Sequence, residues 1–199
     1  MGQPGVSDIP ELLAHLDALA RAAHAADDGD GELPAFFRTL HRRAAAIHAH
    51  LHPNHPADTA DSPSLEARSP ATLADTFREL IAAAEAAALA PSLTDYLRNA
   101  GHRLHSIVEG APDRRIAPRQ PEKGQAELHA GAGRWEVAVV ESSTFGIGVH
   151  APAPLEPDQV VRLVVAEVYG ATTYDCLVSQ SHPTAEWFHV GLEIFAVRI

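Results

Sequence analysis

Through the first half of the chain apolar residues recur at three- and four-residue steps, the spacing that lines up one face of a helix. Ile9, Leu12, Leu13, Leu16, Leu19 and Ala23 make the first such face. Asp8 stands as its N-cap, with Pro10 in the first turn and Glu11 completing a capping box, and the run stops at Asp27-Asp28-Gly29-Asp30-Gly31. A second face, Phe36, Phe37, Leu40, Ala44, Ile47 and Leu51, begins near Pro34 and ends at Pro53. A third runs from about Pro70 to Leu89 through Leu73, Phe77, Leu80, Ile81, Ala84 and Ala88, and Pro91 breaks it. The fourth starts after Ser92 and carries Leu93, Tyr96, Leu97, Ala100, Leu104, Ile107 and Val108, with Gly110 placed to cap its end. The stretch 53–69 is rich in Pro, Asp, Ser and Thr, has no apolar period, and is predicted to be a mobile loop.

From Gln125 the period changes to two, the alternation of a strand with one buried face. Strands are predicted at Gln125 to Ala130, Arg134 to Val140, Ile147 to His150, Gln159 to Val168, Thr172 to Gln180 and Trp187 to Val197. The breaks between them are turn chemistry: Gly131-Ala132-Gly133, the Pro152 to Pro157 run, Tyr169-Gly170 and His182-Pro183-Thr184. Six short antiparallel strands with such connections point to closure into a barrel, which leaves no open edge. The predicted fold class is therefore α+β: a helical, bundle-like region over 1–110 and a six-stranded antiparallel barrel over 111–199. Alanine-rich helix seams bury little area each, so oligomerisation through the helical region is one route to added stability.

Composition narrows the function. A length of 199 residues with 46% hydrophobic content is enough for two small cores. The net charge of −11 argues against general nucleic-acid binding, which draws its affinity from many Lys and Arg contacts to phosphate. No apolar run reaches the length of a membrane span, and the N-terminus lacks the basic-then-apolar order of a secretory signal, so a cytoplasmic location with no membrane partner is expected. The single cysteine, Cys176, excludes an internal disulfide framework and reads as a small buried residue in a strand. Trp135 could offer a stacking face, although a strand tryptophan more often packs inward.

The usual catalytic signatures are missing: there is no G-x-S-x-G elbow, Walker loop, H-E-x-x-H or dinucleotide fingerprint, and no enzymatic activity is expected. His48 and His52 lie four apart on the second helix, with His50, His55, His102 and His105 as further candidates. No acidic or cysteine ligand completes a site beside them, so no metal is predicted.

One arrangement does carry chemistry. Arg114-Arg115-Ile116-Ala117-Pro118-Arg119 stands before the first strand, and its arginines offer planar forks suited to phosphate or to a guanine edge. Twenty-two residues after Arg119 comes Glu141-Ser142-Ser143-Thr144-Phe145-Gly146-Ile147-Gly148, where a strand ends and backbone can approach a ligand. In order and spacing these segments resemble the PilZ domain family, whose signature is R-x-x-x-R followed by [D/N]-x-S-x-x-G. Arg115 and Arg119 fill the first motif; Ser143 and Gly146 fill two places of the second. Glu141 stands where the family has Asp or Asn, and Phe145 where a second glycine is common. The family's barrel usually closes with a strand reading G-L-x-F, which Gly191-Leu192-Glu193-Ile194-Phe195 resembles.

The resemblance covers the C-terminal half and implies a bacterial cytoplasmic receptor for cyclic di-GMP. It implies a ligand site of Arg114, Arg115, Arg119, Glu141, Ser143 and Gly146, with no other cofactor. On this reading the Asp113 to Pro121 segment folds over the nucleotide, Arg115 and Arg119 supply charge, Arg114 adds a contact, and Ser143 and Gly146 form the floor. Ordering of that segment then acts on the helical region and, through it, on an output protein the sequence does not identify. The alternative is a protein-interaction adaptor whose barrel has lost the nucleotide, the reading that Glu141 favours. An oligosaccharide or single-strand binder fits the acidic charge and sparse strand aromatics less well.

Overall fold

A computed structural model of the chain describes residues 6–26, 31–54, 63, 65, 69–110, 117–167 and 170–199. The chain divides into two compact units, Met1–Ile116 and Ala117–Ile199. The first holds four helices, α1 (Ile9–Ala26), α2 (Glu32–Leu51), α3 (Pro70–Ala86) and α4 (Pro91–Val108). The second is a closed antiparallel barrel of β1 (Gln120–Ala130), β2 (Gly133–Ser143), β3 (Gly146–Ala151), β4 (Val160–Glu167), β5 (Gly170–Pro183) and β6 (Phe188–Arg198). This is the α+β order the two hydrophobic periods predict. Most of the predicted mobile loop at 53–69 lies outside the described residues. Among those residues, no helix is long and apolar enough to cross a membrane.

The helices close a ring in the order α1, α2, α4, α3, each packed on the next. Phe37 and Phe77 reach across it, both fully buried, with ring centroids 5.8 Å apart in an edge-to-face pair that Phe36 joins from the side. At the start of α1 the Glu11 amide donates to Asp8 Oδ1 at 2.9 Å, as a cap requires. Glu11 reaches back one residue further than the expected box, accepting from the Ser7 amide at 2.8 Å, and these Ser7 bonds hold its carboxyl below the usual carboxylate range. α2 begins two residues before Pro34, which fits in a first turn because its missing N–H is one of the donors no helix uses. α3 stops at Ala86 rather than Leu89: Ala88 turns to φ 51° and is exposed, so it leaves the predicted core face. Pro91 then serves as the first residue of α4 instead of merely ending α3. Gly110, at φ 67°, follows the α4 cap as predicted.

The barrel order β1-β2-β3-β6-β5-β4 separates β3 from β4 in space. The proline-rich run between them therefore connects two strands that do not pair, and Leu155 from it is buried in the barrel core. Alternate residues supply the rest of that core: Leu128 from β1, Val137 and Val139 from β2, Val149 from β3, Leu163 from β4, Cys176 and Val178 from β5, Val190 and Leu192 from β6. Burial raises the Cys176 thiol well above its ordinary pKa, as expected of an inert thiol. Trp135 packs partly buried against this core. Trp187 does not belong to β6; it is half-exposed in the β5–β6 turn, where its carbonyl accepts from Thr184 Oγ1 at 2.7 Å.

β1 starts five residues earlier than the alternation indicates. Gln120 to Gly124 are polar and mostly exposed, so no period marks them, and they pair with β2 while β4 meets only Ala126 to His129. A strand paired on one side tolerates Pro121, and a bulge between Pro121 and Gly124 absorbs it.

Candidate ligand-binding site

The hairpin of β1 and β2 brings the two motif segments together. Its register sets Gln120 opposite Ser142 and Pro121 opposite Glu141, so Arg119, just before β1, falls beside the end of β2. Arg119 Nη1 and Glu141 Oε1 form a short ion pair, with side chains 22% and 28% exposed. Arg114 and Arg115 lie outside the described residues. Of the proposed covering segment Asp113 to Pro121, the last two residues belong to β1 and are held by strand pairing.

Glu141 owes its position to a second irregularity. Between Val139 and Glu141 the pairing of β2 with β3 slips, which sets Glu141 opposite Gly148. The Glu141 side chain lies over that glycine: a Cβ on Gly148 would sit 2.5 Å from Glu141 Cγ and 2.9 Å from Oε1. His189 of β6 approaches the same carboxylate oxygen, with Nε2 3.7 Å from Glu141 Oε1. His189 is in register with His150 of β3, ring to ring at 5.8 Å, and Gly148 with Gly191.

Ser143 and Gly146 close the β2–β3 turn. Ser143 Oγ donates to the Gly146 carbonyl at 3.2 Å, and the Phe145 carbonyl accepts from the Ile194 amide at 3.0 Å, tying the turn to β6. Gly146 is buried, and a Cβ there would meet the Leu192 carbonyl oxygen at 2.9 Å. Its lack of a side chain thus serves the approach of β3 to β6. Ser143 keeps acceptor capacity for a ligand donor while its proton is held in the turn.

In the sequence Gly148 and Gly191 figure only as parts of longer motifs, His150 only as the end of a strand and His189 not at all; none is among the predicted site residues. Gly148 had a signal, standing two residues after Gly146 on the same face of a strand. The others enter through the pairing of β3 with β6, which no local pattern specifies. The predicted histidine cluster on α2 leaves a His48–His52 ring contact at 5.2 Å, and no group of metal-ligating side chains is present among the described residues.

The site is therefore a carboxylate-held guanidinium where β1, β2, β3 and β6 adjoin, with the carboxylate side chain lying over Gly148. No protein-family model matches the chain, and no curated protein does. Among solved structures it is similar to one titled Structure of Bacillus subtilis Inhibitor of motility (MotI/DgrA), at 16% identity and a TM-score of 0.38. That match spans 43% of this chain and 44% of the other, less than half of either.

Proposed function

We propose that the barrel is a receptor for cyclic di-GMP and that binding acts on the helical region, in a bacterial cytoplasm. The observation that carries this reading is the β1–β2 pairing that brings Arg119 beside Glu141, at the head of the segment ending in Ser143 and Gly146. A guanidinium there meets a phosphate oxygen, or the O6 and N7 of guanine, with two donors at once. Glu141 engages Arg119 Nη1, so nucleotide competes with an internal anion for that guanidinium. Arg114 and Arg115 complete the arginine set on this proposal.

Calorimetric titration of the full chain with cyclic di-GMP, beside Arg119→Ala, tests it. Loss of one charged hydrogen-bonding group weakens binding about tenfold to a hundredfold. Equal affinity in both proteins removes Arg119 from the site. A second reading, a protein-interaction adaptor without nucleotide, is favoured by the Arg119–Glu141 pair itself, which gives the guanidinium an internal anionic partner. Absence of binding in parent and variants alike decides for it.

A further inference from the structure

The helical unit contains a cavity of about 280 Å³ between α2 and α4, far in sequence from the barrel motifs. Its walls are one face of each helix: Glu32, Phe36 and Arg43 from α2, and Tyr96, Ala100 and Arg103 from α4, all at helical spacing. The small side chain of Ala100 helps leave the space open. Its volume falls just below the range of ligand pockets, about 300 to 1,000 Å³, and suits a small ligand.

The charge of this cavity sets it apart. Arg43 is buried and Arg103 partly so, while Glu32 is exposed, which leaves two arginines against one glutamate among the lining residues of a chain whose net charge is −11. Removing a guanidinium from water is costly, and setting two in one cavity adds repulsion. Burial pulls Arg103 below its ordinary pKa; Tyr96 opposes this, and the positive charge of Arg43 adds to it. Both arginines also engage groups of the protein. Glu32 and Tyr96 are engaged as well, and each guanidinium has five donors to divide between such groups and an incoming anion. Phe36 and the buried Tyr96 give the same cavity an aromatic wall.

We infer that this cavity is a binding site for a small organic anion, an apolar or aromatic body carrying a carboxylate or phosphate group, with Arg43 and Arg103 gripping the anion and Phe36 and Tyr96 covering the body. The inference stands apart from nucleotide binding at the barrel, since it uses no residue of that site.

The test is an NMR titration of the full chain with phenylacetate and with phenyl phosphate, using phenylacetamide as the uncharged control. The expected result is saturable shifts on α2 and α4 with either anion and at least about tenfold weaker response to the amide, the equivalent of one charged hydrogen bond. Arg43→Gln and Arg103→Gln each weaken the anions by about tenfold to a hundredfold. Should a glutamine variant fail to fold, Arg43→Lys and Arg103→Lys keep the charge but lose the fork, and are expected to bind phenyl phosphate better than phenylacetamide yet below the parent. Amide binding as tight as acid binding overturns the inference. So do anion shifts located away from α2 and α4, or no saturable shift with either anion up to about 10 mM.

Discussion

Glu141→Gln keeps the length of the side chain over Gly148 and removes the charge that holds Arg119. The two partners are roughly a quarter exposed, which places the pair near the upper end of surface ion pairs, at about 1 kcal/mol. If nucleotide must break this pair to use the Arg119 fork, removing it raises cyclic di-GMP affinity by about that amount, or about fivefold. Loss of a negative charge beside the phosphates acts in the same direction. Glu141→Asp withdraws the carboxylate by one methylene from Arg119 and is expected to tighten binding as well. The assay is calorimetric titration of parent and both variants at one salt concentration, with thermal melts to confirm that stability falls by no more than about 1 kcal/mol. Tighter binding by the parent than by both variants refutes the reasoning and makes Glu141 a ligand contact in its own right.

Other substitutions test the barrel. Gly146→Ala drives a methyl against the Leu192 carbonyl, which is backbone and cannot rotate aside, so a loss of about 1 to 3 kcal/mol is expected in denaturant unfolding; an unchanged midpoint contradicts the packing role. Asp175, buried on β5, is pushed up in pKa by burial, but hydrogen bonds from Arg198 and Arg162 outweigh this and hold it below the usual carboxylate range. A lowered folded pKa stabilises above the unfolded value of about 3.9 and is lost as pH falls through the folded one. Asp175→Asn should therefore cost about 1.5 to 3 kcal/mol at neutral pH, with the gap to the parent narrowing below about pH 4; a gap that does not vary with pH refutes the charge argument. If the helical region is the output, nucleotide alters amide exchange in α4 around Leu104 to Val108, and protection confined to the barrel argues against coupling.

The helices were legible because each buries one stripe, and the stripe repeats in the sequence. Their ends were less so. Ala88 continues the period of α3 yet leaves the helix, because a proline three residues on starts the next one. The strands were legible wherever one face enters the core. Gln120 to Gly124 have no buried face, so the start of β1 was hidden even though it positions Arg119. At the site, the order of Arg119, Glu141, Ser143 and Gly146 was readable; the pairing of Glu141 with Arg119 was not. The bulge that aims Glu141 over Gly148, and the arrival of His189 and Gly191 from β6, depend on pairing between strands distant in sequence. Such register is set by the whole barrel rather than by any local residue choice.

The central claim is that cyclic di-GMP binds at the β1–β2 hairpin, and a residue-resolved NMR titration of the full chain tests it most directly. The account predicts saturable shifts at Arg119, Glu141, Ser143 and Gly146, extending to Gly148 and His189 as Glu141 releases Arg119. Saturable shifts that leave this set unmoved, or a spectrum that nucleotide does not change, contradict it.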